Sequence, residues 1–269
     1  MLDLNEGLFE QISIVHGPYD LLYRYFTTAE QLARDAGVYI RIHADFHRLV
    51  ELNERYRSSW TPMSPMFDPS QSRLRPETAF WLEAVDEAGD TVATHAQRLF
   101  VWPHTTLRDE VEGLRVFYAE PAARIATGEA IAIAAPIGKT MTGRTMSGGA
   151  LWTHPDWRRR GLVRLLPRIS RAYGYTRWMP HYIWAFVETK MAGIVPRASG
   201  PYTVESGLTF RLGFRSEFTG VIMWMTADTM LRDIEAIVAQ EAADSDLLME
   251  TPRISRSPDL SVHGMSTRS

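Results

Sequence analysis

Apolar residues at Leu21, Leu22, Tyr25, Phe26, Ala29, Leu32 and Ala33 recur at helical spacing and predict a first helix that Gly37 stops. Ahead of it, "LFEQISIVHGP" reads as a short strand ended by Gly17-Pro18. After it, "VYIRI" reads as a short extended connection. "ADFHRLVELNERYRSSW" then reads as a second helix with Phe46, Leu49, Val50 and Leu52 on its apolar side. The four prolines of "TPMSPMFDPSQSRLRPE" predict an irregular loop between elements.

"TAFWLEAV" and "TVATHAQRLFVW" are two strand-like runs joined by the acidic turn "DEAGD", a β-hairpin turning at Gly89. From 103 to 145 the pattern is mixed. "TTLRDEVEGLRVFY" reads as a helix capped by Thr105 or Thr106, and "EAIAIAAPIG" as an extra strand. "TMSGGALWT" is a strand that leads into "HPDWRRRGLVRLL", where a helix from Gly161 to Tyr173 begins. There follow the strand "HYIWAFVE", an irregular stretch with Gly193, Pro196, Gly200 and Pro201, a short helix to Leu212, and the strand "FTGVIMWMT". An amphipathic helix from Ala227 to about Ala243 closes the pattern. There is no internal repeat. This order predicts one mixed α/β (α+β) domain over residues 1-244, with helices packed on a central, mostly antiparallel sheet, residues 103-145 inserted between strands, and a mobile polar tail over 245-269.

Composition narrows the function. With 45% hydrophobic and 23% charged residues the chain is an ordinary globular one. A net charge of -3 gives no molecule-wide footprint for a polyanion, so no nucleic-acid partner is expected. The absence of cysteine excludes disulfides, thiolate metal sites and a thiol nucleophile. The start "MLDLNEGLFEQ" lacks the basic-then-apolar layout of a signal peptide, and no apolar run approaches the ~20 residues of a membrane span. The expectation is a cytoplasmic protein with no membrane partner.

The four arginines of "HPDWRRRGLVRLL" change the picture most. A helix beginning at Arg160-Gly161 leaves its first amides unpaired and carries the positive end of its dipole there, which suits a phosphate. Gly161 lets that phosphate approach the backbone. Leu162, Leu165, Leu166, Ile169 and Tyr173 form the inward stripe, and Arg164, Arg168 and Arg171 lie opposite.

The run Arg158-Arg159-Arg160-Gly161-Leu162-Val163 resembles the acyl-coenzyme A signature of the GCN5-related N-acetyltransferase (GNAT) superfamily. "LTFRLGF", ending in Leu212-Gly213-Phe214, resembles that family's short helix and Gly-Phe turn, and the hairpin resembles its second and third strands. The resemblance spans residues 9 to 226. It implies a sheet splayed at the cofactor site, acetyl-CoA or another acyl-CoA as co-substrate, and no metal. It also implies that amides of Arg159 to Arg164 cradle the pyrophosphate, with the charges of Arg158, Arg159 and Arg160 facing it. Backbone of Leu151, Trp152 and Thr153 would run along the pantetheine arm. The chemistry implied is direct attack of an amine on the thioester. The sequence departs from the pattern at Val163, where Gly or Ala is usual, at Pro167 inside the helix, and at Thr209, where many members carry a tyrosine.

Glu83 and His95 on the hairpin, Glu188 at the end of the strand after the cofactor helix, and Tyr202 beside the Gly-Pro turn are the candidate acids and bases. His43, His47 and Glu51 share one face if helical, with an exposed helix face as the plainer reading. Among eight tryptophans, Trp60, Trp81, Trp102, Trp152 and Trp184 are expected near the sheet centre; any lining a cleft would favour an acceptor with an apolar body. The expected activity is acetyl transfer to the primary amine of a small molecule. A protein or peptide acceptor, and a non-catalytic acyl-CoA sensor or structural homologue, remain the alternatives. A homodimer is compatible with all three.

Overall fold

The computed structural model describes residues 7–213 and 216–250, with side chains as far as 243. Eight strands form one sheet: β1 (Tyr39–His43), β2 (Ala79–Val85), β3 (Thr91–Trp102), β4 (Ala130–Ile133), β5 (Gly143–Thr153), β6 (Tyr182–Glu188), β7 (Thr203–Arg211) and β8 (Phe218–Thr226). Seven helices surround it: α1 (Tyr19–Asp35), α2 (Phe46–Arg55), α3 (Leu107–Glu112), α4 (Pro121–Ala126), α5 (Leu162–Trp178), α6 (Val195–Ser199) and α7 (Ala227–Glu250). The strand order is β1-β2-β3-β5-β6-β8-β7-β4, and only β5 and β6 are parallel neighbours.

Period-two burial explains the layering. Phe80, Leu82 and Ala84 of β2 face a core shared with α1, α5 and α7, where Leu22, Phe26, Leu166, Ile169 and Ile234 meet. Trp81 and Ala79 face the opposite core with α2, where Trp102, Trp152 and Trp184 are also buried. The five tryptophans singled out above all belong to this second core. The fold class and the central, mostly antiparallel sheet are thus as expected.

Three expectations change. "LFEQISIVHGP" forms no strand: Phe9–Gln11 is a 3-10 turn. The Gln11 side chain takes the strand's place, donating to the Ile40 carbonyl and accepting from the Ile42 amide along β1. The segment ending at Arg211 is not a helix but β7, whose Leu208 and Phe210 turn inward while the strand pairs with β8 and β4. His43 lies on β1 and α2 starts only after Asp45, so His43, His47 and Glu51 share no helical face. Among the described residues no group could hold a metal ion, and no helix is long and apolar enough to cross a membrane.

The 103-145 segment folds as α3, α4, β4 and a 3-10 turn, with Thr106 and Asp109 forming a capping box at α3. α7 continues to Glu250, past the expected end. Of the expected tail, residues 251 onward lie outside the described residues, as does Phe214 of the Leu212-Gly213-Phe214 motif.

Candidate active site

β5 and β6 pair only at Thr145/Tyr182, Met146/Ile183 and Ser147/Trp184, and part beyond that point. β5 also carries a bulge. Thr94 of β3 faces Trp152 whereas Ala96 faces Gly149, so β5 has one extra residue between these pairs. Ala150 sits there at φ +50°, and its carbonyl accepts from Thr94 Oγ1 at 2.8 Å. The bulge turns the free edge of β5 away from β6, and the resulting cleft opens onto both faces of the sheet.

On the α5 face the cleft encloses about 710 Å³. Leu151, Trp152 and Thr153 form one wall, Ala185 to Glu188 the other, and Arg158, Arg159, Gly161, Leu162 and Val163 the end. Gly161 caps α5 at φ +82°, two residues after left-handed Arg159 at φ +68°. No side chain caps the helix; the Arg164 amide donates to the Gly161 carbonyl at 2.8 Å, so it is the amides of Leu162 and Val163 that keep their hydrogen-bonding capacity for a ligand. A Cβ on Gly161 would meet nothing within 4 Å; the backbone conformation, not space, demands glycine here. Pro167 is buried on the cleft wall and α5 runs through it unbroken.

The arginines divide. Arg158 and Arg159 line the cleft. Arg160 lies over the Trp157 ring at 4.2 Å, and with Arg164 and Arg168 it lines an outer groove of about 490 Å³ between α1, α5 and α7. The expected contact from the Arg160 side chain is therefore not directed into the cleft, since its guanidinium is held over Trp157, while the Arg164 side chain lies on the outer side of α5.

On the α2 face the same cleft continues into a chamber of about 200 Å³, bounded by Trp60, Phe67, Phe117, Phe186, Phe210 and Phe218. Its floor is crowded: a Cβ on Gly149 would lie 2.4 Å from Phe67 Cε2. Trp60 is held by parallel stacking on Trp152 at 5.1 Å, which in turn stacks on Tyr56. The loop of four prolines and the 103-145 segment supply Phe67 and Phe117. Nothing in the local pattern of those segments marks them as neighbours of β5.

The four candidate acids and bases separate. His95 and Glu188 line the cleft. His95 Nδ1 meets Ser170 Oγ at 2.6 Å, and Ser170 Oγ also contacts Gln97 Nε2 at 3.2 Å and the Pro167 carbonyl at 3.1 Å. The hydroxyl has one proton: given to Pro167, it makes Ser170 the acceptor for His95 Nδ1–H and leaves Nε2, on the ring edge beside Gly148, unprotonated; given to Nδ1, it puts the ring proton on Nε2. Burial, with the Arg171 guanidinium adding to it, pushes the His95 pKa down to about 3, so the ring is neutral. Glu188 ends β6 and forms an ion pair with Lys190 at 2.9 Å.

Glu83 and Tyr202 are elsewhere. Glu83 is fully buried beside α2, bonded to His43 at 2.8 Å, Arg48 at 2.8 Å and Thr91 at 2.5 Å. Burial alone would raise its pKa, but these three donors outweigh it and hold the carboxyl at about 2. The Tyr202 hydroxyl accepts from Arg171 Nη1 at 3.1 Å, in a network with Asp233 behind α5. Neither side chain lines the cleft: each is drawn off by a guanidinium on a packed helix, Glu83 by half-buried Arg48 and Tyr202 by buried Arg171. Sequence reasoning did not select Ser170, Gln97, Gly148 or Gly149; the "SGG" before the bulge was the available signal.

No protein-family model matches the sequence, and no curated protein matches it. Solved structures do. FeeM, an N-acyl amino acid synthase from uncultured soil microbes, is similar at 10% identity over 73% of this chain and 94% of its own, with a TM-score of 0.44. Arabidopsis thaliana NAA60, solved in complex with acetyl-CoA, is 13% identical over 70% and 99%, at 0.42. Vibrio cholerae spermidine N-acetyltransferase, solved with CoA and spermine, is 13% identical over 71% and 98%, at 0.41.

Proposed function

We propose that this protein is an acyl-CoA-dependent N-acyltransferase that transfers an acetyl group to the primary amine of a small molecule. The observation that carries the proposal is the cleft between parted β5 and β6. It ends at the uncapped N-terminus of α5 beside Arg158 and Arg159, and opens through the sheet to a separate chamber. Unpaired amides and two guanidiniums fit a pyrophosphate. The bulged, open edge of β5 from Ala150 to Thr153 offers backbone groups to an amide-bearing arm.

Bound there, an acyl-coenzyme A supplies the thioester carbonyl. The acyl group passes from sulfur to nitrogen, the amine loses one proton and the sulfur leaves as a thiol, so no further reactant is needed. Glu188, at the junction of cleft and chamber, holds the amine and takes up its proton directly or through water. His95 stays neutral and, with Ser170 donating to Pro167, offers Nε2 as a hydrogen-bond acceptor at the apex. With Tyr202 turned away and threonine at 209, the thiolate takes its proton from solvent.

Calorimetric titration with acetyl-CoA tests the cofactor, and thiol release across a panel of amines tests the activity. Absence of acetyl-CoA binding overturns the proposal. Binding without thiol release in any amine favours the sensor reading.

A further inference from the structure

The chamber on the α2 face has a character that the transferase reading does not require. Every charged side chain but one is missing from its lining among the described residues; the exception is Glu188, which sits where chamber and cleft meet. Strand parity places Glu188 on this face, in line with Trp184 and Phe186 of β6. The rest of the lining is uncharged: Thr61, Ser64 and the β5 backbone from Gly148 to Leu151 lie beside an interlocked set of rings. Phe117 lies parallel to Phe186 at 6.1 Å, Phe186 meets Phe210 edge-on at 5.4 Å, and Phe210 stacks on Phe218 at 4.7 Å. Trp60, Phe67, Phe117 and Phe210 are each at least nine-tenths buried, so the packing around them holds the chamber open without a ligand.

We infer that this chamber is the acceptor subsite and that it selects a monoamine carrying one uncharged aromatic or branched apolar body, with its nitrogen at Glu188. The inference rests on the transferase reading. Its physical basis is a difference in desolvation. A ring-sized apolar body entering a space of about 200 Å³ gains contact on every side and exposes nothing polar. A polyamine would bring a second ammonium with no second carboxylate to pair it, and a peptide would bring a run of backbone groups of which the uncharged polar side chains of the lining, Thr61 and Ser64, could pair few. The coenzyme arm, by contrast, has its own space on the α5 face, so the chamber is left to the acceptor.

Thiol release is measured with acetyl-CoA and four acceptors: 2-phenylethylamine, ethylamine, putrescine and a lysine-containing peptide. The expected kcat/KM for 2-phenylethylamine exceeds that for ethylamine ten- to a hundredfold. Putrescine and the peptide do no better than ethylamine. Phe218→Trp, which fills the chamber, cuts the ratio of 2-phenylethylamine to ethylamine at least tenfold, with folding checked by circular dichroism.

A second measurement does not depend on turnover. Tryptophan fluorescence, to which Trp60 and its stacking partner Trp152 contribute among eight tryptophans, is titrated with 2-phenylethylamine and with putrescine in the presence of coenzyme A. Saturable binding of the aromatic amine alone, even without thiol release, supports the subsite while overturning the transferase reading. Turnover that favours putrescine or the peptide, or that treats all amines alike, overturns the subsite and leaves the transferase reading intact. A preference for octanoyl-CoA over acetyl-CoA without discrimination among amines assigns the chamber to the acyl chain and overturns the inference. Coenzyme A binding with no response to either amine does the same.

Discussion

The two halves of the sheet treat their polar groups in opposite ways. In the paired half, β1, β2 and β3 pair along their lengths with one irregularity, at Ala84/Val85, and Glu83 is buried with donors on both its oxygens, from His43, Arg48 and Thr91. In the parted half, β5 and β6 separate after three residue pairs, and the amides of Leu162 and Val163 at the start of α5 and the edge of β5 beyond Ser147 are left open. The lesson is one of completeness. A buried polar group with all its bonds made serves stability, and a row of polar groups left open on a rigid frame serves a ligand.

Substitutions can break this comparison. The largest effect is expected from Gly161→Glu, which forces a side-chain-bearing residue into a left-handed cap and sets a negative charge beside the cradle. Coenzyme A affinity should fall more than a thousandfold, about 4 kcal/mol, by calorimetry. Retained affinity would refute the cradle. Next is Glu83→Gln, which leaves Arg48 without its buried partner. Urea denaturation should show a loss of about 3 kcal/mol with coenzyme affinity within about twofold of the parent. A large loss of affinity at unchanged stability would mean that the paired half is not merely structural.

The pH dependence of stability sharpens the same contrast. His95 is held near pKa 3 in the fold against an ordinary 6.5, so below pH 6.5 the unfolded chain takes up a proton that the folded one refuses. Stability should therefore decline as pH falls from 6.5 towards 3, by about 2 kcal/mol at pH 5 from this residue. Glu83, near 2 against 4.5, contributes stability that is complete above 4.5 and lost as pH falls towards 2. A stability profile with an onset near 6.5 and a steeper limb below 4.5 is expected; His95→Gln should remove the first onset and keep the second. The smallest effect belongs to Glu188→Gln. It should lower kcat/KM about tenfold while changing stability by no more than about 0.5 kcal/mol, because its ion pair with Lys190 lies at the surface end of β6.

Much of the fold was legible because its signals are local. The hairpin follows from alternation around Gly89, and α5 from the stripe that begins at Leu162. β7 was misread as a helix although Leu208, Phe210 and Leu212 recur at every second position, since its first half, from Thr203 to Gly207, carries little apolar pattern. The site was legible only on one side. "RRRGLV" announced the end of the cleft, but which arginines point into it depends on the helical turn. The chamber is assembled from residues 60 to 67, 117, 186, 210 and 218, which no spacing in the sequence connects. Glu83 and Glu188 are alike as strand glutamates. What separates them is Arg48, supplied by a helix packed over one and not the other.

The extra residue at Ala150 acts as a change of parity. Before it, the odd-numbered Thr145, Ser147 and Gly149 of β5 share the tryptophan-rich face; after it, the even-numbered Trp152 occupies that face. Were β5 to keep Ala150 but run on without the bulge, the old rhythm would swing Trp152 across the strand to the α5 face and Leu151 into the stack beside Trp60; deleting Ala150 would instead restore regular pairing with both side chains where they are. One residue thus decides which side of the sheet each of the next three side chains belongs to.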